Sequence, residues 1–219
     1  MPPPVADFGD PHAFPGAEEL SSVKWETEGL RRQHWVLLAQ IEHINVDAKI
    51  LGLTVRDRAG RQYCIFFPDE SRFRDAFRTL INGRTVAVLY PEHQHIVHVA
   101  NDKTTSEFEG VVIGEKTSFL TFPVRLEDLF RMNRELRDYL GTSFIPQTCH
   151  GCGNTAVEGK ALFNCGKCGY FSYCNAGCQK IGWDAKGHKE ACKILRDANI
   201  QSLLHLNYES SEGEVKFSV

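Results

Sequence analysis

"CGKCGYFSYC", residues 165–174, places three cysteines in ten positions. Cys165 and Cys168 have the Cys-x2-Cys spacing at which a tight turn brings two sulfurs to one ion, but Cys174 stands too far along to share that turn. Working outward, seven of the eight cysteines fall between Cys149 and Cys192, and only Cys64 lies elsewhere. With His188 the pattern reads C-x2-C-x12-C-x2-C-x5-C-x3-C-x9-H-x3-C. Eight such donors fill two tetrahedral sites, and Zn²⁺ is the ion that favours thiolate together with imidazole.

Cys149/Cys152 and Cys165/Cys168 read as two knuckles. Cys174/Cys178 and His188/Cys192 are spaced (i, i+4), as on one face of a helix. Four two-toothed clamps result, and spacing alone leaves open whether they pair in order or interleave. The run of two knuckles, then "YCNAGCQKIGW" and "HKEAC", resembles a MYND-type zinc finger over residues 149–192. That resemblance implies cross-bracing, with Cys149, Cys152, Cys174 and Cys178 on one Zn²⁺ and Cys165, Cys168, His188 and Cys192 on the other. The nine residues between Cys178 and His188 exceed the family's usual seven or so, and the extra length in "DAKG" (184–187) suggests a helix break there. A RING finger, the other common cross-brace, would want a histidine beside the second or third pair, and none is present.

Four protein ligands on each ion leave no open position, so both zincs are expected to be structural. So small a module has little core of its own, and metal binding supplies much of its folding energy. The resemblance further implies a shallow groove for a proline-containing peptide, formed by Tyr173, Gln179 and Trp183. Packing of Trp183 against the second metal site is the competing reading. His150, inside the first knuckle, points the wrong way for a clamp. Cys64 sits in an apolar stretch and reads as a small buried hydrophobe. His93, His95 and His98 have no accompanying carboxylate cluster and read as a polar strand edge.

The rest of the chain carries the fold. Composition is ordinary for a globular protein, 42% hydrophobic and 24% charged with formal net charge −3. Such a balance gives no global pull toward nucleic acid or anionic membrane. Residues 34–44, 48–57 and 61–67 read as three meandering strands with a turn at "RAG" (58–60). A helix is expected over 68–81, then a strand at 84–90 and weaker strands at 95–100 and 108–114. That order fits a small OB-like Greek-key barrel, with a generic α+β domain as the alternative. The helix expected at 123–141 closes at Gly141 and links barrel to finger. Residues 1–23, with five prolines among the first fifteen and no lysine or arginine, read as disordered, as does the tail from about Tyr208. The resulting plan is α+β: segment 1–23, barrel 24–122, linking helix and linker 123–148, finger 149–192, and a C-terminal helix with loose tail 193–219.

No apolar run approaches membrane-spanning length, and the opening residues lack the pattern of a secretory signal. The chain is therefore expected inside the cell, in cytoplasm or nucleus, where clustered cysteines hold metal rather than disulfides. No nucleophile–base pair, phosphate loop or carboxylate cleft stands out, so no enzyme is expected. The expected role is an adaptor in transcriptional or other regulatory complexes, its finger gripping a proline-containing partner. The alternative is single-stranded nucleic acid binding through Arg56, Arg58, Arg61, Arg72, Arg74, Arg78 and Arg84 on the barrel.

Overall fold

The computed structural model describes residues 5–22, 33–47, 50–67, 80–99, 105–113, 118–141, 148–155 and 161–210. The helix expected over 68–81 lies mostly outside these residues. The described chain forms two compact units, one of residues 9–128 with 208–219 and one of residues 1–8 with 129–207.

In the first unit, β1 (Val36–Asp47), β2 (Ile50–Arg56) and β3 (Gln62–Phe67) form an antiparallel meander. Strand β4 (Thr85–Leu89) pairs antiparallel with the first half of β1, and β5 (Glu92–Val99) pairs antiparallel with β6 (Thr105–Val112). Strand β6 runs parallel to β3. Only Tyr90 and Pro91 separate β4 from β5, so one bent strand pairs at its start with β1 and at its end with β6. The circuit β1-β2-β3-β6-β5/β4-β1 is that of the five-stranded Greek-key barrel of the OB-fold. A further strand, β7 (Ser118–Phe122), flanks β4 and is not apparent in the sequence, because its burial does not alternate.

Two irregularities shape the circuit. Register slips by one residue between Ile41 and His43, a bulge that bends β1 between its two partners. The extra residue, Glu42, is paired with Arg56 and Gln62. At the β4–β5 bend, Tyr90 adopts φ 52°. That value lies in the left-handed region, costly for a bulky side chain. Tyr90 is pinned there: its amide donates to Trp35 O (3.1 Å), its hydroxyl meets His34 Nδ1 (2.7 Å), and Trp35 Nε1 donates to Pro91 O (3.1 Å).

The interior is apolar. Leu37, Ala39 and Ile41 alternate inward along β1 and meet Leu53, Val55, Ile65, Val86, Val88 and Val111, all fully or almost fully withdrawn from solvent. Each such aliphatic side chain larger than alanine contributes on the order of 1.5–3 kcal/mol through burial.

The disorder expected for residues 1–23 does not hold for residues 5–22. Phe8, Phe14 and Leu20 are buried, and the last lies in the barrel core. Helix α1 (Ala17–Ser21) is tied to the β2–β3 turn, where Asp57 Oδ2 accepts from the Ala17 amide at 2.9 Å. The apolar residues are too widely spaced to register as a pattern, yet three large buried side chains offset much of the ordering entropy. Tyr208, where the sequence suggests a loose tail, is likewise buried, its ring 4.9 Å from that of Phe14.

The linking-helix expectation also changes. Helix α2 (Leu126–Leu140) presents Leu129, Met132, Asn133, Leu136 and Leu140 on one buried stripe, and from Leu129 onward it belongs to the finger's unit. Buried Asn133 accepts from the Phe8 amide (3.0 Å) and donates to Ala6 O (2.9 Å), while the Ala6 amide donates to Leu204 O (2.8 Å). Asp7 pairs with Arg137 at 2.5 Å. The finger is therefore packed with residues 5–8, helix α2 and a C-terminal helix, rather than standing alone on a linker.

Candidate metal centre

A two-stranded ribbon and three short helices set out the ligands. Strands β8 (Phe163–Asn164) and β9 (Ser172–Tyr173) place Cys165 and Cys174 just beyond their ends. Helix α3 (Ala176–Ala185) carries Cys178, and its N-cap Asn175 accepts from the Cys178 amide at 2.9 Å, satisfying a donor the helix leaves open. Cys174 precedes that helix, so only one tooth of the third clamp is helical. Helix α4 (His188–Leu195) carries both His188 and Cys192. The break expected at "DAKG" is present: α3 ends at Ala185, and Gly187, at φ 72°, caps the start of α4. Helix α5 (Ala198–His205), capped by Asp197, closes the unit.

The donors gather into two groups, Cys149, Cys152, Cys174 and Cys178 in one and Cys165, Cys168, His188 and Cys192 in the other. Within each group every donor atom lies within 4.8 Å of the others. Cys152 and Cys174 Sγ are 3.8 Å apart, Cys165 and Cys192 Sγ 4.0 Å, and Cys168 Sγ lies 3.4 Å from His188 Nε2. A tetrahedron built on metal–sulfur bonds of about 2.3 Å has edges of about 3.8 Å, so both groups fit a zinc-sized ion. Cys174 bypasses the adjacent knuckle and joins Cys149 and Cys152, and the clamps interleave.

The electrostatics suit thiolate ligation. Burial opposes ionisation of Cys149, but donors from the Cys152, Cys174 and Gly151 amides and the Cys152 side chain outweigh it, bringing the thiol down to about 6, since hydrogen bonds to the charged form favour it. Hydrogen bonding to Cys149 and Cys152 holds Cys174 up to about 12. Burial beside Cys168 and Cys165 holds Cys192 up to about 12. Thiols this close cannot all ionise without a cation among them, which is the chemistry a divalent ion supplies. Burial lowers His188 to about 4 and keeps its imidazole neutral, as a ligand must be.

The surrounding shell is aromatic. His188 Nδ1 lies 2.6 Å from the Tyr173 hydroxyl, and Phe171 packs 4.7 Å from the His188 ring. Tyr139 donates to Thr148 O (2.8 Å) and accepts from the Ser172 amide (3.1 Å), tying α2 to the finger. His150 belongs to neither donor group; its ring packs 4.4 Å from Phe171 and its Nδ1 lies 3.3 Å from Tyr173 Oη. Two glycines permit the close fit. A Cβ on Gly151 would meet Cys178 O at 2.3 Å, and one on Gly182 would meet Tyr173 Cε1 at 2.6 Å. The aromatic shell and the two glycines are not legible in the sequence, because nothing in their spacing marks which backbone they must approach.

The three expected groove residues separate. Tyr173 is 1% exposed and lies beneath the surface rather than on it. Gln179 and Trp183 line an open depression of about 390 Å³ with Gly166, Lys167, Ala176 and Lys180. Trp183 meets the His188 ring edge-on at 5.3 Å, while Lys167 Nζ sits 5.7 Å from its ring centre. Packing against the second metal site and lining the groove are thus both true of Trp183. Elsewhere, burial raises the Cys64 thiol above its usual range. His95 on β5 faces Glu107 on β6 at 3.4 Å, and His93 lies on the same strand as His95; His98 is registered opposite Ser106.

The family model of the MYND finger matches residues 149–192. No curated protein matches the chain. Among solved structures, it is similar to Rim1, a mitochondrial single-stranded DNA binding protein from S. cerevisiae, at 13% identity and TM-score 0.29, covering 41% of this chain and 95% of that one. It is also similar to Plasmodium falciparum SSB in complex with ssDNA (14% identity, TM-score 0.29, covering 41% and 93%). The S. pombe Stn1-ten1 complex gives 14% identity and TM-score 0.28, covering 47% and 76%. Among the described residues no helix is long and apolar enough to cross a membrane.

Proposed function

We propose that this chain is an intracellular adaptor whose finger, stabilised by two structural Zn²⁺ ions, grips a proline-containing segment of a partner protein at Gln179 and Trp183. The observation that carries the reading is the open depression beside Trp183, whose indole is supported from behind by His188. An extended proline segment lays its rings on such an aromatic platform at low entropic cost. Of the large apolar side chains exposed among the described residues, Phe163 and Ile181 both lie in the finger, as expected of a docking region. In this reading four protein donors enclose each ion, no position is left for substrate, and the chain is not an enzyme.

Nucleic acid binding through the barrel is the weaker reading. Arg56 is paired with Glu42, Arg58 with Glu19 and Arg61 with Glu18, so these arginines do not form the unneutralised stripe that phosphate backbones require. Arg72, Arg74 and Arg78 lie outside the described residues.

Titration of the full chain with proline-rich peptides tests the adaptor reading. Trp183→Ala should weaken binding by about 10-fold or more, as expected for an aromatic anchor, and Gln179→Ala by less. Equal affinities in both variants and the parent would reject the groove.

A further inference from the structure

Tyr173 is surrounded by parts of both donor groups. Its backbone immediately precedes Cys174, a donor of the first group. Its ring is wedged against Gly182, which lies on α3 one turn beyond Cys178, another donor of that group. Its hydroxyl lies 2.6 Å from Nδ1 of His188, a donor of the second group. Both side chains are sealed from water, Tyr173 at 1% exposure and His188 at 0%.

The hydrogen-bond roles follow from the geometry. His188 turns Nε2 toward Cys168 Sγ at 3.4 Å, so Nε2 is the ligating nitrogen and Nδ1 keeps the proton. That N–H donates to Tyr173 Oη. The hydroxyl then directs its own proton elsewhere, and His150 Nδ1 at 3.3 Å is positioned to accept it. His150 directly follows Cys149, a third donor of the first group. The chain His188–Tyr173–His150 therefore begins on one group and ends at the other.

We infer that Tyr173 is a positioning residue that couples the loading of the two metal sites. An ion among Cys149, Cys152, Cys174 and Cys178 fixes the strand and helix that hold the Tyr173 ring. The hydroxyl in turn fixes the tautomer and orientation in which His188 can bind the second ion. Removing such an outer-shell partner typically costs about 10–100-fold in metal affinity. Because linkage is reciprocal, the second ion strengthens the first site to the same degree. This inference rests on the donor geometry and does not depend on the peptide-binding reading.

The test is chelator competition on the zinc-loaded full chain. Cadmium-113 NMR of the cadmium-substituted protein distinguishes the four-sulfur site from the three-sulfur, one-nitrogen site. The parent should release both ions over one chelator range. Tyr173→Phe, which keeps the ring and deletes only the hydroxyl, should weaken the nitrogen-containing site by about 10–100-fold and split release into two phases. Cys178→Ala should weaken the nitrogen-containing site in the parent but have little further effect on it in Tyr173→Phe. Unchanged affinity at that site in Tyr173→Phe, or release of both ions over one chelator range as in the parent, would overturn the inference. If Tyr173→Phe takes up no metal, His150→Phe carries the test by deleting only the far acceptor. A partial weakening of the nitrogen-containing site would then support the relay, and the parent's affinity there would overturn it.

Discussion

In the barrel, the positions withdrawn from solvent include Leu37, Ile41, Leu53, Ile65 and Val88; in the finger, they include Cys149, Cys165, His188 and Cys192, ringed by Phe171 and Tyr173, with Ala191 and Leu195 as apolar neighbours on α4. The barrel's interior is held by removal of apolar surface from water, which acts without any ligand. The finger's innermost atoms are sulfurs and ring nitrogens that repel or compete unless a cation lies among them. One chain thus contains a region held by apolar burial and a region whose buried donors are suited to a metal ion. The contrast also assigns roles. A surface whose donors are gathered at two points and backed by α2 and α5 can stay shallow and rigid, which suits a docking face.

The largest test of this contrast is metal removal. Structural zinc in small fingers supplies on the order of 10–16 kcal/mol. Chelation should abolish amide protection through residues 148–195 in hydrogen exchange while strands β1–β4 keep theirs. Finger protection surviving complete metal loss would break the comparison. The converse experiment is Leu53→Ala, which empties a fully buried barrel position and should cost about 2–5 kcal/mol. Metal content, measured on the folded variant, should stay at the parent's value. A loss of metal with the cavity would mean that the two regions are not independently stabilised.

A smaller effect sharpens what lies next to the finger. His205 on α5 stacks parallel to Tyr170 and meets its hydroxyl at 2.8 Å. Burial lowers the proton affinity of His205 below the ordinary value of about 6.5. The unfolded chain therefore takes up this proton first as pH falls. Stability from this contact is intact above about pH 6.5 and declines below it. Denaturant unfolding of parent and His205→Gln across that range should show a steeper slope in the parent than in the variant. Equal slopes would assign the acid sensitivity to other groups.

The finger is the more legible region because ligand chemistry restricts spacing. Two Cys-x2-Cys knuckles and an (i, i+4) His/Cys pair have few geometric solutions, and both donor groups assemble as the resemblance implies. The barrel's meander is readable from its apolar runs, but β7 is not, since its buried positions, Phe119 and Phe122, are three apart and do not alternate. The N-terminal segment misleads for a related reason. Its prolines and carboxylates set the composition, while Phe8, Phe14 and Leu20, each six residues from the next, set the energetics. Tyr173 lies below the surface, which its sequence does not reveal: a tyrosine whose ring meets a partner and one whose hydroxyl meets a buried imidazole read alike.

Two crosswise-bound ions per chain are the central claim, and elemental analysis of the purified chain tests it most directly. The account predicts two equivalents of zinc, with Cys174→Ala reducing the value by emptying the site shared with Cys149, Cys152 and Cys178. One equivalent or none in the parent protein would contradict it.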